Sequence, residues 1–112
     1  MLIPERDADI IAAILDQCDY ILDILQRIHE DKSIYDADRV YRDAIKMNLF
    51  QIGELTHKLS DEFKDDKNNI PWHKIYGARN IIAHGYLKVD DDIIWETCLT
   101  DIPFLKSELE SM

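Results

Sequence analysis

Residues 70–88 read "IPWHKIYGARNIIAHGYLK", and how this stretch folds decides the architecture around it. Pro71 and Trp72 suit the opening of a helix, because a proline at the first helical position gives up no internal hydrogen bond. Ile75, Ala78 and Ile82 then recur at three- and four-residue steps, the spacing of a helix with one buried stripe. Gly85 is expected to end that helix as a left-handed cap. The same helix carries Arg79, Asn80 and His84, and Tyr86 comes just after Gly85. Arg79 and His84 stand five positions apart, about 140° of rotation on a regular helix. They can meet within one chain only if the helix ends near His84 and the backbone turns at Gly85.

The sequence before this stretch reads as two long helices. From about Asp7 to His29, the residues Ile10, Ile11, Ile14, Leu15, Cys18, Ile21, Leu22, Leu25 and Ile28 keep the amphipathic spacing. "EDKSIYDAD", residues 30–38, breaks the pattern, and Ser33 and Asp36 are able to cap the next helix. A second helix is expected from about Ala37 to Phe63, with Val40, Ile45, Leu49, Ile52, Leu55 and Leu59 among its apolar residues. Gly53 in its middle costs about 1 kcal/mol relative to alanine. A glycine there implies close backbone approach, to another helix or to a second subunit. "KDDKNNIP", residues 64–71, is a polar loop. Beyond the quoted stretch, a last helix is expected from about Asp92 to Glu110, kinked or split by Pro103. The expectation is an all-α antiparallel bundle of four helices, five if Pro103 breaks the last, forming one domain over residues 1–112.

Composition agrees with helices. The 112 residues are 46% hydrophobic and include three glycines and three prolines. A chain of this length hides roughly two-thirds of its unfolded surface, enough for a core without staples. Cys18 and Cys98 lack a Cys-x-x-Cys context and read as buried apolar residues rather than a disulfide. No apolar run reaches the ~18 residues of a membrane span. The start, "MLIPERDADI", lacks the pattern of a signal peptide, so a cytoplasmic location is expected.

The net charge of −10 argues against a general nucleic-acid binder. The charge is not evenly spread. Residues 67–89 hold Lys67, Lys74, Arg79 and Lys88 and no acid. An anionic ligand is repelled by most of the chain and attracted to this window.

Arginine offers phosphate oxygens a planar fork of donors and stays charged at any working pH. Histidine takes or gives a proton near neutrality. Together they suit phosphodiester cleavage in RNA without a metal, because the 2′-hydroxyl is a built-in nucleophile. One histidine per chain falls short of the two proton transfers required, and a symmetric dimer would supply the second. Both residues also have ordinary structural uses: arginine pairs with carboxylates, and a histidine in a last turn complements the helix dipole. His29, His57 and His73 show no metal-ligand spacing. Asp90, Asp91 and Asp92 read as a solvated turn and helix start, and Trp72 and Trp95 as core anchors.

Residues 70–109, together with "IGEL" at 52–55 and the long first helix, resemble the HepT-like ribonucleases of the HEPN superfamily. The combination Arg-Asn-x3-His-x-Tyr, preceded by Pro-Trp and followed by Val-Asp and a tryptophan, carries the likeness. The resemblance implies a homodimeric helical domain in which the Arg-x4-His motifs of two chains meet at a cleft. It implies an endoribonuclease toxin with Arg79 and His84 as catalytic residues, Asn80 in support, and no metal or other cofactor. The substrate class would be RNA such as tRNA or mRNA. The implied partner is a MntA-type nucleotidyltransferase antitoxin that transfers AMP to Tyr86. Many relatives have an acidic or polar residue where this chain has Gly85, which loosens the backbone beside His84. The rival expectations are a non-catalytic HEPN-type module that binds nucleotide or RNA and docks a nucleotidyltransferase, and a plain structural helical dimer.

Overall fold

The computed structural model describes residues 3–85 and 88–111. Among the described residues there are six helices and no strand: α1 (Glu5–Arg27), α2 (Lys32–Ala37), α3 (Arg39–Lys58), α4 (Asp61–Asp66), α5 (Trp72–Gly85) and α6 (Asp91–Glu110). The expected all-α bundle is present, with two short helices added to four long ones.

Helix α1 forms as its spacing dictates. Ile11, Ile14, Cys18, Ile21 and Leu25 are buried at alternating three- and four-residue steps. Glu5 and Asp7 lie in its first turn and Arg27 in its last, each suited to the helix dipole. The helix ends where His29 and Glu30 adopt left-handed backbone, with φ of 55° and 52°. Asp31 then starts α2 by accepting a hydrogen bond from the Ser33 amide at 2.9 Å. Asp38 starts α3 in the same way, accepting from the Val40 amide at 2.9 Å. The caps are therefore Asp31 and Asp38, not Ser33 and Asp36.

The second long helix is shorter than its apolar pattern suggested. It stops at Lys58, because Leu59 and Ser60 turn extended and Ser60 caps α4 through the Phe63 amide at 3.1 Å. Ser60 is itself held from a distance. Buried Asp7 accepts from the Ser60 amide at 3.0 Å and from its hydroxyl at 2.6 Å. This contact ties the start of α1 to the α3–α4 corner. Pro103, expected to kink or split the last helix, lies inside a continuous α6. Its own side chain is exposed, although the proline still removes one hydrogen bond from the helix.

Helix α3 is the centre of the bundle and packs against both α1 and α5, while α6 closes on α1. Ile14, Ile21, Ile45, Leu49, Ile52, Ile75, Ile94 and Ile102 fill the core with 0% exposure. Fully burying one such side chain stabilises the fold by about 1.5–3 kcal/mol. Trp95 joins this core, its ring tilted on that of buried Tyr35 at 4.9 Å. No helix among the described residues is long and apolar enough to cross a membrane.

Candidate active site at the α3–α5 crossing

The site begins with a glycine. Gly53 is buried where α3 meets α5, and a Cβ there would overlap Arg79 Cβ and lie 2.9 Å from Arg79 Cγ. The close approach expected at Gly53 is thus made to a helix of the same chain. It lets the arginine stem lie directly on the backbone of α3.

The next residue, Glu54, accepts a hydrogen bond from Arg79 Nε in a tight ion pair. Asn80 Oδ1 accepts from Arg79 Nη1 at 3.1 Å. The guanidinium lies 5.0 Å from the Phe50 ring centre and 5.8 Å from that of Tyr76, within cation–π range. Its side chain is 24% exposed, so the cation is held in place but still reachable. These contacts engage two of the five N–H donors of an arginine, which leaves donors for a ligand. Arg79 and Asn80 are thus linked side chain to side chain. Glu54, Phe50 and Tyr76 complete the cradle; Glu54 lies in the "IGEL" stretch that shares the family resemblance, while Phe50 and Tyr76 had no part in the reading of the sequence. The usable signal was Gly53: whatever lies beside a buried glycine is pressed close to its neighbours.

His84 is exposed in the last turn of α5. Among the described residues its side chain makes no hydrogen bond or ion pair. The helix continues through Gly85, and no glycine among the described residues has a positive φ. The left-handed cap expected at Gly85 is therefore absent. On an unbroken helix Arg79 and His84 stay about 140° apart. One chain does not turn them toward each other. Tyr86 lies outside the described residues.

The charge of the window also changes on folding. Glu54 reaches Arg79 from α3, and Asp101 of α6 lies 3.2 Å from Lys74 Nζ. Two of the cations counted along the sequence, Arg79 and Lys74, are thus paired in space. The expected solvated turn at Asp90–Asp92 is solvated only in part. Asp90 caps α6 through the Asp92 amide at 2.9 Å. Asp91 instead faces Lys46 at 3.3 Å, Arg42 at 3.7 Å and the Tyr35 hydroxyl at 3.4 Å. These contacts pin the start of α6, just downstream of the motif.

Cys18 and Cys98 are buried, and burial pushes each thiol up to about 12. Both stay protonated near neutral pH and are poor nucleophiles. Trp72 is only half-buried, its indole N–H donating to the carbonyls of Lys64 at 3.2 Å and Lys67 at 3.1 Å. Among the described residues no group of histidines, cysteines and acids is arranged to hold a metal ion.

Residues 14–112 match the family model described as "Ribonuclease HepT-like". The chain is similar to a protein of Caldanaerobacter subterraneus subsp. tengcongensis named "Putative RNase", 31% identical over 99 residues that cover 88% of this chain and 87% of that one. A protein of Thermococcus cleftensis named "Probable ribonuclease HepT" is 32% identical over 76 residues, covering 68% and 69% of the two chains. A "Putative RNase" of Methanocaldococcus jannaschii is 30% identical over 110 residues, covering 97% and 89%. No solved structure matches this chain significantly. With its helical bundle, its Arg79–Asn80 cradle and a family match over most of its length, the chain belongs to the HepT-like ribonuclease family of the HEPN superfamily.

Proposed function

We propose that this chain is an endoribonuclease toxin that acts as a homodimer without a metal and is silenced by AMP transfer to Tyr86. The observation that carries the catalytic part is Arg79: a half-buried, oriented guanidinium with donors to spare, on the same helix as an exposed His84. In the reaction, a base removes the proton of the RNA 2′-hydroxyl. The 2′-oxygen bonds to phosphorus, the bond to the 5′-oxygen breaks, and an acid protonates that leaving oxygen. The products are a 2′,3′-cyclic phosphate and a 5′-hydroxyl end. His84 serves as the proton-transfer group. Arg79 stabilises the crowded phosphorane charge. Asn80 keeps the fork of Arg79 aimed.

Dimerisation supplies what one chain lacks. Two histidines from two copies would provide base and acid, each beside the Arg79 of the partner copy. Exposed apolar side chains on the two helices that carry the site support such a contact. Val40 (74% exposed), Met47 (51%) and Ile81 (43%) lie on α3 and α5. Met47 also lines a hollow of about 220 Å³ with Phe50, Ile82 and Ala83, and Phe50 is shared with the Arg79 cradle.

The purified protein should cleave single-stranded RNA in the presence of EDTA and leave 2′,3′-cyclic phosphate ends, with light scattering giving twice the monomer mass. A monomer that binds RNA and leaves it intact would favour the non-catalytic binding module.

AMP on Tyr86 would bring an anionic phosphodiester and a bulky base close to the motif, offsetting the cation and filling the cleft. Co-expression with a cognate nucleotidyltransferase should therefore add one or more AMP units, read by intact-mass spectrometry. Tyr86→Phe should show no added mass and should remain toxic beside the antitoxin. Added AMP in the phenylalanine variant would place the acceptor elsewhere.

A further inference from the structure

Next to the Arg79 cradle, a second hollow combines rings, cations and open space. It opens between α3, α4 and the first turns of α5, holds about 260 Å³, and is lined by Thr56, His57, Lys64, Trp72, His73 and Tyr76. None of these lining residues is a carboxylate, on a chain whose net charge is −10. The His57 and Tyr76 rings stack at 4.5 Å and 17°. His57 and His73 are exposed, so their rings are available to a ligand. Lys64 pairs with Asp61 at 3.9 Å, and that carboxylate is almost fully exposed. A loose pair of this kind is screened and easily exchanged for a phosphate. Trp72 is locked by its two indole hydrogen bonds, which gives the floor a fixed shape. Tyr76 belongs to both places, lining the hollow and lying under the Arg79 guanidinium. The Tyr76 ring is thus a wall shared by the hollow and the Arg79 cradle.

Proteins that hold single strands without reading sequence use this combination, a cationic track with ring faces for successive bases. We propose that the hollow is a nucleotide subsite for single-stranded RNA, which seats a base on the His57–Tyr76 stack and a phosphate between Lys64 and His73, next along the strand from the phosphate held by Arg79; this deepens, and rests on, the proposed ribonuclease activity. The subsite explains how an acidic protein takes a polyanion. Within the hollow the strand meets rings and cations and no carboxylate, and the acids at its edge, Asp61 and Glu54, are each paired with a cation.

The test uses the full chain and a fluorescein-labelled, single-stranded 2′-O-methyl RNA, which cannot be cut because its 2′-oxygen is blocked. Binding is followed by anisotropy. The double variant His57→Ala/His73→Ala should bind about tenfold more weakly than wild type, the loss expected for one stacked base. His57→Phe keeps a ring for stacking and should restore most of the loss when set against His57→Ala. Lys64→Gln should make the dependence of log affinity on log salt shallower by about 0.7, as for one phosphate contact on a single strand. On cleavable RNA the double variant should show a raised KM with kcat nearly unchanged. His84→Ala should bind the blocked RNA like wild type while its cleavage of ordinary RNA falls by about 10²–10⁴-fold. Unchanged affinity in the double variant, or an unchanged salt slope in Lys64→Gln, overturns the subsite even where wild type cleaves RNA. If wild type binds the blocked RNA through His57 and His73 but cuts no RNA, the subsite stands and the ribonuclease reading falls.

Discussion

His84→Ala should lower RNA cleavage by about 10²–10⁴-fold, the usual contribution of a positioned proton-transfer group. The melting temperature should not move, because the side chain is exposed and makes no hydrogen bond or ion pair among the described residues. Arg79→Ala should lose about 10²–10³-fold in kcat, the scale of one donor to a developing oxyanion. Its fold should suffer more than that of His84→Ala. Arg79 packs on Gly53, Phe50 and Tyr76, and its loss leaves half-buried Glu54 without its cation. A cost of about 1–2 kcal/mol is expected from lost packing and the unpaired carboxylate. Arg79→Lys should hold the fold better and still cleave poorly, since a point charge does not reproduce the fork that reaches Glu54 and Asn80 together. Initial rates on a fluorogenic RNA, beside circular-dichroism melts, separate the two effects. Wild-type cleavage by His84→Ala would remove the histidine from the mechanism.

Gly53→Ala should be the most damaging single methyl group added to this protein. The new Cβ would meet Arg79 Cβ, an atom that no side-chain rotation can move away, so α3 and α5 must separate. Overpacking of this kind costs about 1–3 kcal/mol and outweighs the gain of roughly 1 kcal/mol in helix propensity only when the backbone cannot yield. With two helix backbones packed this closely, a net loss is expected, lowering the melting temperature by roughly 4–8 °C per kcal/mol. Cleavage should fall with it, because the shift moves Arg79 off Glu54. Gly77→Ala is the matched control. Nothing lies within 4 Å of a Cβ at Gly77, so alanine gains the propensity without the clash. It should raise stability by about 0.4–1 kcal/mol. Equal melting temperatures for the two variants would mean that Gly53 does not set the distance between α3 and α5.

Local pattern by itself determined much of this protein. The three- and four-residue steps of α1, the buried stripe Ile75–Ala78–Ile82 and the scarcity of glycine and proline specified helices and their inward faces. The motif residues Arg79, Asn80 and His84 could be named from spacing and resemblance. Tertiary structure decided what depends on partners far along the chain. The second helix ends at Lys58 because Asp7, in the first turn of α1, holds Ser60. Asp91 turns inward because Arg42 and Lys46 of α3 meet it there. Arg79 is a held cation rather than a free one because Gly53 lets α5 approach and Glu54 stands beside it. A helix propensity or a charge count sums over neighbours in sequence. Ion pairs, caps and close approach act between neighbours in space, and only the packed bundle brings those together.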